Sequence, residues 1–422
     1  MGEERIIPLP PRDAHREADI LNELPNATGL VLWQDLRHVR DWLESPPEIR
    51  VDLFKELSPA VLARRRAVGN EHGELIDALG TFASMKSGPL SARPGEVARA
   101  CEQVVEWASR HEYPRTGIEW AEAAARCDPE NPRLANLAGR LIRNSNDYDR
   151  AEVWFKRGIG VAREQNNIVE QVWGHLGFGK LCQELGRIAG ARRHLNRGSR
   201  LAWQGGPPSL AASAQHDLCF MLIVRGHLAE AAQRGRRALY WYPKTHARIP
   251  FFAADIGLML VLDGRFSAAV HLLRPVLRAV EQPSARATIL ALAARAYAGA
   301  GVPEESAVLR RRALKILDKH RAMEPVTRWH LADAQRLAGN WLAAQAEAET
   351  TLAVAIAQND REIERLTRKL LRQIATRRRG GPRHIPIDEL RDFVRDLVDR
   401  VAQWAPRRER QWSGPWGNNR AA

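Results

Sequence analysis

The sequence predicts an all-α chain of stacked helical hairpins. Three observations carry that expectation: a short motif recurs at a nearly constant interval, apolar residues flank each copy at helical spacing, and no strand-rich segment of useful length appears. The chain has 422 residues, of which 45% are hydrophobic, so it can bury a sizeable core and is not disordered as a whole. No apolar run reaches the ~18 residues of a membrane span. The first residues, Met1 to Ala14, lack the order of a secretory signal.

The recurring motif is a glycine, one residue, a large apolar residue, two residues and a small one. It reads Gly186-Arg-Ile188-Ala-Gly-Ala191, then Gly226-His-Leu228-Ala-Glu-Ala231, Gly264-Arg-Phe266-Ser-Ala-Ala269 and Gly339-Asn-Trp341-Leu-Ala-Ala344. Weaker copies start at Asn146 and at Gly301, where Pro303 replaces the large residue. From Asn146 the starts are 40, 40, 38, 37 and 38 residues apart. Glycine ends a first helix because it adopts the left-handed conformation at little cost. The large residue opens a second helix, and the small one lets the pair approach. One hairpin cannot bury its apolar faces alone, so neighbours must stack.

These units resemble tetratricopeptide repeats. The family's small first-helix residue falls on Gly139, Gly179, Cys219, Gly257, Ala294 and Ala332. Its small second-helix residue falls on Ala151, Ala191, Ala231, Ala269 and Ala344, and its later apolar position on Phe155, Leu195 and Leu273. Pro243 and the Asp128-Pro129-Glu-Asn-Pro132 junction match the closing proline. The intervals exceed the family's 34 residues, as in extended variants of bacterial regulatory proteins. The resemblance implies a right-handed α-solenoid with helical caps, whose first helices line a concave groove.

The expected organisation has five parts: a helical cap region over 1–93, an array of about seven hairpins over 94–358, a capping helix over 359–379, an amphipathic helix over 385–403 and a tail without order over 404–422. In the cap region, Leu32, Leu36, Val39 and Leu43 share one helical face, and Pro46-Pro47 stops that helix. Two more helical stretches are expected near 51–68, with a break at Ser58-Pro59, and near 71–85. The divergent first hairpin surrounds Tyr113 and Trp120.

No HExxH, GxGxxG, P-loop or GxSxG motif occurs, and the histidines are scattered singly. The expectation is a non-enzymatic binding scaffold or adaptor with no catalytic residue, no metal site and no cofactor. Cys101, Cys127, Cys182 and Cys219 form no CxxC pair and read as buried thiols of a reducing cytoplasm.

By the resemblance, the groove-facing set is Arg133, Asn136, Arg140, Arg143 and Asn144, then Trp173, Lys180 and Gln183, then His216, Phe220 and Phe251. Guanidinium forks and amides on one helix face can converge on a carboxylate, which points to another protein or an acidic peptide segment as partner. The alternative is a solvated face in an arginine-rich chain. The formal net charge is +14, and residues 365–422 hold 15 Lys+Arg against 6 Asp+Glu. Arg368, Lys369, Arg372, Arg377, Arg378 and Arg379 could contact nucleic acid through phosphates, or form the polar face of the end cap. Trp241, in Tyr240-Trp241-Tyr242, is a candidate exposed contact. Neither a membrane nor a small-molecule partner is expected.

Overall fold

A computed structural model describes residues 8–9, 18–53, 58–378 and 385–404. The expected tail beyond Trp404 therefore lies outside the described residues, as does Arg379. Among the described residues the chain is all-α, with no strand, and consecutive helices pack on one another in a solenoid-like arrangement. It divides into two compact units, 1–178 and 179–422.

The first unit opens with α1 (Asp19–Glu23), α2 (Ala27–Glu44), α3 (Pro47–Leu53), α4 (Pro59–Glu71) and α5 (Ile76–Ser87). The Asn26 side chain caps α2 by accepting from Gly29 N at 3.0 Å, and Val31, Leu32, Leu36 and Val39 are buried. Ser58 caps α4, with Pro59 at its first position. The proline that stops α2 is followed by one that opens α3, so the sequence break becomes a helix start.

Hairpins follow: α6 (Pro94–Arg110) with α7 (Pro114–Cys127), and α8 (Pro132–Asn144) with α9 (Tyr148–Glu164). Next comes α10 (Ile168–Glu184), within which the division between the units falls. The second unit holds α11 (Ile188–Gly205), α12 (Pro208–Arg225), α13 (Leu228–Trp241), α14 (Ile249–Leu262) and α15 (Phe266–Ala279). It continues through α16 (Pro283–Gly299), α17 (Pro303–Leu317), α18 (Glu324–Ala338), α19 (Trp341–Ala357), α20 (Arg361–Ala375) and α21 (Ile387–Trp404).

All six motif starts take positive φ: Asn146 (64°), Gly186 (70°), Gly226 (83°), Gly264 (72°), Gly301 (80°) and Gly339 (88°). Each is followed by an amide that reaches back five residues, as in His227 N to Leu222 O at 3.0 Å and Arg265 N to Leu260 O at 2.8 Å. This is a Schellman stop. Glu112 (58°), with Tyr113 N donating to Ala108 O, makes the same stop 34 residues before Asn146. Its divergence from the motif hid it, because a glutamate carries no left-handed preference.

The small and large positions meet as complementary shapes. A Cβ on Gly139 would lie 3.1 Å from Phe155, one on Gly179 2.8 Å from Leu195, and one on Gly257 2.7 Å from Leu273. The fourth hairpin departs from this rule: at the register of Phe155, Leu195 and Leu273 it carries Gly235. There Phe393 of α21 supplies the missing volume, and a Cβ on Gly235 would lie 3.1 Å from it. Helix α21 accordingly packs on α13, α14 and α15. Phe393 meets Phe252 at 6.3 Å, and Arg400 donates to the carbonyls of Leu239 (2.8 Å) and Tyr242 (3.0 Å) at the end of α13.

Helix α20 covers the end of the repeats and packs on α18 and α19. It also reaches back within its unit, where Arg365 donates to Val224 O of α12 at 2.9 Å. The first helices α12, α14 and α16 are buried around most of their circumference, which is more enclosure than an open trough implies.

Candidate peptide-binding groove

In the first unit, α8 positions five of the expected groove residues. Pro132 at its start and the Schellman stop at Asn146 fix the register of this short helix. Asn136 is buried rather than presented: its Nδ2 donates to both the backbone O and Oε2 of Glu170, each at 2.9 Å. Gly158 and Gly174 leave room for this amide, since a Cβ on either would press on Asn136 Oδ1. Asn136 thus ties α8 to α10. Burial raises the Glu170 carboxyl above its ordinary range, although Asn136 and the charge of Arg133 oppose that shift.

Arg133 is exposed and pairs with Glu102 at 2.5 Å. Burial, reinforced by the Arg143 charge, holds the Arg140 guanidinium below the usual arginine range. Arg143 is buried and donates to Asn144 Oδ1 at 2.8 Å, while Asn144 stays exposed. Trp173 on α10 is half-buried. The charge of this basic set is therefore partly offset by Glu102 and Glu170.

In the second unit, a polar network ties α10, α12 and α14 together. Asp217 Oδ1 accepts from Lys180 Nζ at 2.8 Å and from Arg248 at 2.7 Å. One residue away, His216 Nε2 meets Asp255 Oδ2 at 2.8 Å, and His216 Nδ1 meets the Tyr242 hydroxyl at 3.1 Å. The carboxylate is the acceptor, so Nε2 carries the proton and Nδ1 accepts from Tyr242. Burial lowers the His216 pKa, and the Arg248 charge adds to this, so the ring is neutral at pH 7. Both ring nitrogens are spent on neighbours, which fits a cross-link between α12 and α14 rather than a general base reaching for substrate. Burial raises the Tyr242 hydroxyl to about 12.

The network's edges reach solvent: the side chains of Lys180 and Asp255 are 21% and 27% exposed. Phe220 lies one turn beyond His216 on α12, and Phe251 one turn before Asp255 on α14; both are half-exposed. Gln183 is buried. Sequence reasoning missed Asp217, Tyr242, Arg248 and Asp255. Asp217 has a readable signal, since it is the lone carboxylate of α12 and stands beside His216 in an otherwise apolar stretch. Arg248 and Tyr242 come from the connection between α13 and α14, and nothing local marks them.

A second buried cluster lies on α16 and α18. Asp333 pairs with Arg295 and, at 2.5 Å, with Arg336; Arg295 also covers the Trp329 ring at 4.5 Å. These residues sit on first helices, as the expected groove residues do. They are satisfied internally.

The basic run of α20 is neutralised in part. Arg365 pairs with Glu362 at 2.5 Å and Arg368 with Glu364 at 2.9 Å, both carboxylates from the helix's own first turn. Lys369, Arg372, Arg377 and Arg378 are exposed, Arg377 at φ 48°. The Arg378 carbonyl accepts from Arg336.

Among the described residues no group of three or more His, Cys, Asp or Glu is arranged to hold a metal ion, and no helix is long and apolar enough to cross a membrane. No protein-family model matches the sequence. No curated protein matches it either.

Proposed function

We propose that this chain is a non-enzymatic polypeptide-binding module of tetratricopeptide type, whose first helices present the contact residues. The observation that carries this is the arrangement on α12 and α14. Two half-exposed phenylalanines, Phe220 and Phe251, flank a rigid His216–Asp255 cross-link whose charged edges reach solvent. Pre-ordered aromatic anchors beside fixed charges suit recognition of a peptide, because little side-chain entropy is left to lose on binding. In the first unit Arg140 and Trp173 offer a basic and aromatic counterpart suited to an acidic segment. All four cysteines are buried free thiols, which supports a reducing, cytoplasmic setting.

The test is selection of a displayed peptide library on the purified full chain, followed by affinity measurement. Phe220→Ala and Phe251→Ala should each weaken the selected peptides by roughly tenfold, the scale of an interface anchor. Arg140→Glu should abolish binding of acidic peptides. No enrichment, or enriched peptides indifferent to all three substitutions, would refute the reading.

A further inference from the structure

We propose that the solvent face of α11, together with the end of α13, binds single-stranded nucleic acid. The argument is independent of the groove. From Leu185 to His216 the chain contains no Asp or Glu. Within that stretch Arg193, Arg197 and Arg200 stand at i, i+4 and i+7, one stripe about 10 Å long on a helix rising 1.5 Å per residue. All three are exposed, and none has an ion-pair partner among the described residues. In α20, by contrast, Glu362 and Glu364 pair with Arg365 and Arg368.

The stripe runs into an aromatic cluster. Trp203, 48% exposed, meets Trp241 edge-on at 5.0 Å, and Trp241 meets Tyr240 at 5.1 Å. Tyr240 is 77% exposed. Guanidinium forks bind phosphate oxygens in pairs, and an aromatic face stacks on any base that is not already stacked. In a duplex the base faces are covered by their neighbours, so the combination selects a single strand. A membrane-inserting face would carry aliphatic side chains as well. Trp203 and Tyr240 are the sole exposed large hydrophobic residues among the described residues of α11 and α13.

Fluorescence anisotropy on the full chain decides the matter. The probes are a labelled mixed-sequence 20-nucleotide single strand, as DNA and as RNA, the matching duplex, phosphatidylserine vesicles and a polyglutamate peptide. The single strand should bind, with a salt slope of about −2 from three neutralised phosphates at about −0.7 each. Replacing Arg193, Arg197 and Arg200 by alanine should remove that slope and weaken binding at least roughly tenfold. Tyr240→Ala should weaken it by roughly tenfold and Tyr240→Phe should restore it, since stacking needs the ring and not the hydroxyl. An equal loss of charge on α17 (Arg311→Ala, Arg312→Ala and Lys315→Ala together) should change nothing; all three are exposed. Circular dichroism confirms that each variant is folded. The proposal fails if no single strand binds at low salt. It fails equally if duplex or vesicles bind as tightly, if polyglutamate binds as tightly and the α11 variant loses that binding too, or if the α17 control loses as much as the α11 variant.

Discussion

Asp217→Asn is the most informative single change to the second unit. Asp217 is 3% exposed, and its Oδ1 is shared by Lys180 and Arg248. Burial alone would raise its pKa, but the two cations overcome that and hold the carboxyl well below the usual carboxylate range. The amide keeps the volume and deletes the carboxylate charge that Lys180 and Arg248 share. Breaking a buried pair in this way costs about 3–5 kcal/mol. For a unit of this size about 1 kcal/mol moves Tm by roughly 2–4 °C, so the expected fall is roughly 6–20 °C at pH 7. A depressed carboxylate pKa stabilises the fold above the unfolded value of 3.8 and loses that contribution as the pH falls below it. The gap between wild type and variant should therefore narrow as the pH falls below 3.8, closing only below the depressed folded value. The assay is thermal and urea unfolding followed by near-ultraviolet dichroism from pH 7 to pH 3. Adding Arg248→Met should recover part of the loss, with a coupling of about 2 kcal/mol. A Tm change under about 2 °C at pH 7, a pH-independent loss or strict additivity with Arg248→Met would each refute the reasoning.

Three further outcomes follow from the packing. Gly235→Leu should fill the fourth hairpin's own vacancy and expel α21; faster amide exchange over 385–404 reports this, and unchanged protection there contradicts it. Gly226→Ala, at φ 83° with nothing within 4 Å of the new methyl, should cost about 1–2 kcal/mol through backbone strain alone, read as a lower urea midpoint with unchanged slope. In the first unit, burial and then the Arg65 charge pull Lys86 down from 10.5 to about 7. The unfolded chain binds the extra proton between those values, so stability should rise with pH across that window. Lys86→Met should raise stability at pH 7 by up to a few kcal/mol and flatten the rise, since each pH unit separating the folded and unfolded values is worth about 1.4 kcal/mol. An unaltered slope of urea midpoint against pH would count against it.

The hairpin stops were legible because they depend on local backbone chemistry. A left-handed residue followed by a large and then a small side chain is written within six residues, and all six such sites adopt it. The pairing of Gly139 with Phe155 and of Gly257 with Leu273 was equally readable, since both partners belong to one hairpin. The groove was much less legible. Helical spacing assigns a face to Asn136 and His216, but it does not say what covers that face. The amide of Asn136 is consumed by Glu170 and the ring of His216 by Asp255 and Tyr242, all from other elements.

The sequence by itself determined the six motif stops and the hairpin period, because each rests on interactions within about forty residues. Tertiary structure alone decided which charges are spent and which remain. Arg365 and Arg368 of α20 find carboxylates one turn away, whereas Arg193, Arg197 and Arg200 of α11 find none among the described residues. Structure alone also decided that α21 returns across more than a hundred residues to fill the space left by Gly235. A missing side chain shows in the sequence as a glycine, but the surface that replaces it is chosen by shape and burial in three dimensions.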